Sequence, residues 1–106
     1  MENSEPTTPT RPRFNLGRTV ATPAALDALR RSGQTAAQFL FRHERGDWGD
    51  VPPEDAKAND EAIAHEGDAD RQARVLSAYV TRLGDRLWVV TEWDRSVSTL
   101  LTPDEY

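Results

Sequence analysis

The most apolar stretch of the chain is short. Residues 86–93 read RLWVVTEW, and turn signals stand on both sides of them, Leu83-Gly84-Asp85 before and Asp94-Arg95 after. A brief run rich in β-branched and aromatic residues between turn residues is a strand, and one that is apolar on both faces belongs in the middle of a sheet. Its neighbours follow the same rule. Residues 74–82 alternate loosely through Val75, Leu76, Tyr79 and Val80, and residues 96–101 read SVSTLL before Thr102-Pro103 stops them. Together they predict a three-strand antiparallel meander that closes the chain.

Helices come before it. Residues 16–21 read as a short strand, with Thr19 and Val20 near its end. Thr22-Pro23 then supplies an N-cap and a proline suited to the first helical position. Ala25, Leu26 and Leu29, followed by Gly33 as a stop signal, predict a helix of about ten residues. Thr35 with Gln38 three residues later is a capping box. It opens a second helix whose apolar face is Ala36, Phe39, Leu40 and His43. Residues 46–53, GDWGDVPP, hold two glycines and two prolines and predict a loop. A third helix starts at Pro53 with acids in its first turn and runs to about His65, and a charged loop over 66–73 leads into the meander. The order is β-α-α-α-β-β-β. It predicts an α+β fold, a four-stranded and mostly antiparallel sheet with helices packed on one face. The buried set is expected to include Trp88, Val90, Leu26, Leu29, Phe39 and Leu40.

Residues 1–13, MENSEPTTPTRPR, carry three prolines, three threonines and no large apolar residue besides Met1. Such a segment cannot bury enough surface to order itself, so it is read as a disordered tail or a partner-binding arm. Residues 14–106 are read as one domain. A chain of 106 residues has room for one core and a shallow pocket. No apolar run exceeds five residues, which excludes a membrane helix. The polar start Met1-Glu2-Asn3-Ser4-Glu5 has no secretory character, so a cytoplasmic protein is expected. There is no cysteine, which excludes disulfide scaffolds, zinc–thiolate sites and cysteine nucleophiles.

The net charge of −5 is uneven. Residues 1–41 carry five arginines against three acids, whereas residues 42–71 carry four basic groups against ten acids. The middle of the chain repels phosphate, so broad nucleic-acid binding is not expected. No Walker loop, G-x-G-x-x-G fingerprint or G-x-S-x-G elbow is present, which argues against nucleotide and serine-hydrolase chemistry. No cofactor and no metal site is expected.

Several phrases carry a resemblance: GRTVATPAALDAL, RHERGDWGD, LSAY and LWVVTEWDRSVSTLLTPDEY. They resemble a family of small bacterial plasmid-related proteins of unknown function, some of which bear the label of a type I restriction enzyme modification subunit. The resemblance covers roughly residues 14–106. It implies a mobile-element setting and no particular reaction. The modification label does not suit the chain, because a methyltransferase needs a glycine-rich loop after a strand and a large parallel sheet.

Three places could hold chemistry. His43 sits at the end of the second helix; it is read either as a proton-transfer group or as a helix-end histidine packed on Trp48. The loop Asp47-Trp48-Gly49-Asp50 is read either as turn chemistry with a tryptophan plug or as oxygen ligands for a cation. Glu92, where two strands meet, is expected on the face of Trp88 and Val90, paired with Arg95 or Arg18. Gathered on the sheet, His43, Tyr79, Glu92, Arg95 and Thr99 would form a metal-independent acid–base cluster. Two functions follow. The first is a small acidic accessory protein of a mobile element with an anti-defence role. It would capture a protein partner through Asp47, Trp48, Asp50, Asp55, Asp60 and Glu61. The second is a metal-independent ribonuclease-like toxin. Oligomeric state is left open.

Overall fold

The computed structural model describes residues 11–106. The elements are β1 (Arg18–Ala21), α1 (Pro23–Ser32), α2 (Ala36–Glu44), α3 (Pro53–Ala64), β2 (Val75–Val80), β3 (Arg86–Thr91) and β4 (Val97–Leu101), with a closing 3-10 turn at Pro103–Glu105. The fold is α+β in the expected order. Of the tail, residues 1–10 lie outside the described residues. Arg13 is fixed: its backbone N–H donates to the Glu44 carbonyl at 2.7 Å, at the end of α2.

The helix ends form where the sequence places them. The Thr22 hydroxyl accepts from the Ala25 N–H at 3.2 Å, and Pro23 opens α1. Thr35 and Gln38 close their capping box in both directions, at 3.3 and 2.9 Å. Each satisfies N–H groups that a helix start otherwise leaves without partners.

The sheet is mixed, in the order β1-β4-β3-β2. The meander β2-β3-β4 is antiparallel, and β1 lies parallel to β4. Three helices separate β1 from β2, so the chain has the length to return β1 to the far edge in the parallel sense. Alternation assigns the two faces. Val75, Ser77, Tyr79, Leu87, Val89, Thr91, Ser98 and Leu100 share one; Leu76, Ala78, Trp88, Val90, Thr99 and Leu101 share the other.

The main core forms on the first face, where Tyr79, Leu87, Val89 and Leu100 meet Ala25 and Leu29 of α1 and Phe39 of α2. A second cluster of Phe14, Trp48, Ala62, Ile63 and Val75 joins α3 to the start of β2. This corrects the expected core in part. Leu29, Phe39 and Val90 are buried, but Trp88 and Leu40 are half-buried and Leu26 is 52% exposed. The central strand is apolar on both faces, so its alternation cannot say which face the helices take. In α1 the small residues Ala25 and Ala28 face inward with Leu29, which turns Leu26 to solvent.

Candidate functional site: a buried histidine chain

The most organised polar group in the molecule is the line through His43, which is fully buried. His43 Nδ1 lies 2.6 Å from Ser77 Oγ, and Nε2 lies 2.9 Å from Thr91 Oγ1. Thr91 Oγ1 is 2.6 Å from Ser98 Oγ, which donates to the Leu16 carbonyl at 2.7 Å. The last bond fixes the direction of all the others. A carbonyl only accepts, so the single Ser98 proton goes to Leu16. Thr91 must then donate to Ser98, and it accepts from His43 Nε2–H. That leaves Nδ1 as an acceptor for the Ser77 hydroxyl. The ring is therefore the neutral Nε2–H tautomer, with both nitrogens satisfied.

The surroundings hold it neutral. The ring of Phe14 meets His43 edge-on at 5.2 Å between centroids, and Trp48 does so at 5.8 Å. Burial, with a smaller contribution from the Arg95 cation, lowers the His43 pKa from 6.5 to about 3. A histidine without solvent access that stays neutral at physiological pH serves neither as general acid nor as a base open to substrate. What the chain does achieve is structural. One line of hydrogen bonds ties α2 to β2, β3, β4 and the segment before β1, and it penalises any slip of the strands.

Residues 46–50 cap an edge of the sheet. The Ala78 N–H donates to the Trp48 carbonyl at 3.0 Å, and the Asp50 N–H donates to the Ala78 carbonyl at 2.6 Å. Gly49 thus bridges Ala78 in the parallel sense along the outer side of β2. Its φ of 73° is left-handed, and a Cβ there would stand 2.0 Å from the Ala78 carbonyl oxygen. Only glycine fits. Trp48 is 7% exposed and seals the second cluster, while its indole N–H donates to Asp60 at 3.0 Å. The Asp47 carboxylate receives Arg42 at 2.7 and 3.3 Å, which holds its pKa below the ordinary range, and its carbonyl accepts from Tyr79 Oη at 2.6 Å. The Arg42 guanidinium also sits over the Tyr79 ring at 4.4 Å, and burial raises the Tyr79 pKa.

Arg95 is a clamp. It is 8% exposed and adopts φ 59°, a left-handed conformation that costs a non-glycine residue about 1–2 kcal/mol. Its guanidinium meets Glu66 through Nε at 3.0 Å and Nη2 at 2.8 Å. Nη1 donates to the carbonyls of Ala73 at 2.8 Å and Glu92 at 3.0 Å. The β3–β4 turn is thereby fastened to the loop after α3. The partner of Arg95 is thus Glu66, where the sequence suggested Glu92. The Glu92 side chain is exposed, because β3 ends at Thr91 and the chain is already turning.

The five residues expected to cluster are therefore dispersed. His43 and Tyr79 share the helix-covered face, Thr99 lies on the opposite face, Glu92 is at the surface and Arg95 is occupied by Glu66. Among the described residues no three of His, Asp and Glu converge as a metal site requires, and no helix is long and apolar enough to cross a membrane. Of the acids expected to bind a partner, Asp50, Asp55, Asp60 and Glu61 are exposed and Asp47 is half-buried. Sequence reading gave no role to Ser77 and Ser98, which have no histidine near them in sequence, nor to Thr91, Asn59 and Glu66. Three of them had a signal: Ser77, Thr91 and Ser98 are hydroxyls at in-facing positions of otherwise apolar strands, where a buried hydroxyl must find a partner.

Comparison of the chain with protein-family models, with curated proteins and with solved structures finds no match.

Proposed function

We propose that this chain is a non-catalytic binding module, a small acidic accessory protein that captures a basic protein partner. The observation that carries this reading is the fate of His43. The residue best suited to proton transfer is fully buried, and both its ring nitrogens are engaged in holding the fold. Tyr79 and Arg95 are engaged in the same way. What the molecule presents outward is charge. The α3 helix buries Asn59, Ala62 and Ile63 and turns Glu54, Asp55, Asp60 and Glu61 outward. These lie within the part of the chain where ten acids face four basic groups. Such a surface steers a positively charged partner and speeds its association. The resemblance to plasmid-related proteins supports a mobile-element setting, in which a partner that normally grips nucleic acid makes an anti-defence role natural.

Glu54 and Glu61 make the cleanest probes, because no hydrogen bond or ion pair engages either side chain among the described residues. Asp60, by contrast, accepts from Trp48. Capture of a basic protein partner should slow as salt rises, and Glu54→Lys with Glu61→Lys should weaken it without lowering thermal stability. Metal-independent RNA cleavage by the purified protein, lost in His43→Ala, would overturn the reading in favour of the ribonuclease.

A further inference from the structure

The sheet face opposite the main core is only partly covered. Leu76, Ala78 and Trp88 are half-buried there, and Val80 is 45% exposed. Beside them runs a groove of about 400 Å³ whose border carries Asp50, Asp55, Arg74 and Arg86. Trp88 and Tyr106 also line it, 5.4 Å apart in an edge-to-face pair, and the Arg74 guanidinium lies 5.4 Å from the Tyr106 ring centre.

We propose that this face binds a second copy of the same chain. Charge is the argument. Among the described residues none of the four groove charges has an ion-pair partner within 4.0 Å, so each is open to a carboxylate or guanidinium from another molecule. The border holds two cations and two anions around an apolar floor, so it is locally neutral in a chain of net charge −5. A purely acidic or purely basic partner would satisfy half of it and be repelled by the rest. A two-fold contact satisfies all of it, because an isologous interface sets the same patch against itself and lets the acids of one copy meet the arginines of the other. The central residues also suit it. Tryptophan, tyrosine and arginine are the types enriched at the centre of protein interfaces, and a half-covered sheet face gains by packing on another.

Sedimentation velocity of the full chain over a rising concentration series tests this. The expected mass rises from 11.9 kDa toward twice that value. Reversing Arg74 and Arg86 to Asp, or Asp50 and Asp55 to Arg, should each weaken the dimer by about tenfold or more in dissociation constant. The fourfold variant, with all signs exchanged, should restore it. Trp88→Ser should also give a monomer, and circular dichroism will show whether it remains folded; if it does not, the charge variants decide. Glu54→Lys with Glu61→Lys should leave the mass unchanged, which separates this interface from the part of the α3 surface that Glu54 and Glu61 supply for partner capture; Asp55 borders both. A monomer at every concentration overturns the proposal. So does a dimer indifferent to all the groove variants, since its interface would lie elsewhere.

Discussion

A histidine with a depressed pKa leaves a mark on stability. In the unfolded chain His43 takes up a proton as pH falls through 6.5, while in the fold it resists until about 3. The unfolded state therefore binds the extra proton, and stability falls as pH falls across that window. At pH 5 the loss is about 2 kcal/mol relative to pH 7.5. Chemical denaturation of the wild type and of His43→Gln at both pH values checks this. The wild type should lose the larger amount, and the glutamine variant should start lower but depend less on pH. Ser98→Ala leaves Thr91 without an acceptor and strands the Leu16 carbonyl, and it should cost about 1–3 kcal/mol. Gly49→Ala meets both the left-handed φ and the Ala78 carbonyl, and it should cost at least about 2 kcal/mol by the same measurement.

At the scale of elements, β2 shows how an edge strand is closed. The Leu76 N–H donates to Asn59 Oδ1 at 3.1 Å, and the Leu76 carbonyl accepts from Asn59 Nδ2 at 2.8 Å. Two residues further on, Ala78 is served by Trp48 and Asp50. One asparagine on α3 and one glycine-containing loop thus replace a missing neighbouring strand, which removes a site of edge-to-edge association. Asn59→Ala leaves two part-buried backbone groups without partners and should cost about 1–3 kcal/mol, with faster amide exchange confined to Leu76 and its neighbours. Asn59→Asp should be as costly, because a carboxylate can no longer donate to the Leu76 carbonyl.

The elements themselves were legible because their signals are local. Thr22-Pro23 and the box of Thr35 and Gln38 are short-range capping patterns, and the turns around the central strand are marked by Gly84 and Asp94. The bond between Asn59 and Leu76 joins residues 17 apart, and that between Arg95 and Glu66 joins residues 29 apart. No propensity encodes such pairings. The same limit explains why Trp88 was expected in the core. A strand apolar on both sides does not reveal which side the helices will take, and only the inward positions of Ala25, Leu29 and Phe39 decide it. His43 was legible as a special residue, but its role was not, because its two partners, Ser77 and Thr91, come from strands that follow it by 34 and 48 residues in sequence.

In the molecule as a whole the polar residues fall into two populations. One is engaged in holding the fold, with the His43 chain and the Arg95 clamp inside and the Asp47–Arg42–Tyr79 contact nearer the surface. The other is exposed and acidic on α3. Phe39 links the helices to the sheet and is 2% exposed, so Phe39→Ala should cost about 3–5 kcal/mol, close to unfolding for a domain whose total stability is roughly 5–10 kcal/mol. Arg95→Ala leaves Glu66 half-sheltered without its cation and frees the β3–β4 turn, with an expected loss of about 3 kcal/mol. Both losses are losses of fold, measured as lowered thermal midpoints. His43 likewise belongs to the architecture, with both ring nitrogens engaged inside the fold, and nitrogen-detected NMR of the ring checks this. The spectrum should show a neutral Nε2–H tautomer, with Nδ1 as acceptor, unchanged from pH 8 down to about pH 5. A ring that titrates near its ordinary value of 6.5 in the folded protein would place His43 in contact with solvent and contradict the account.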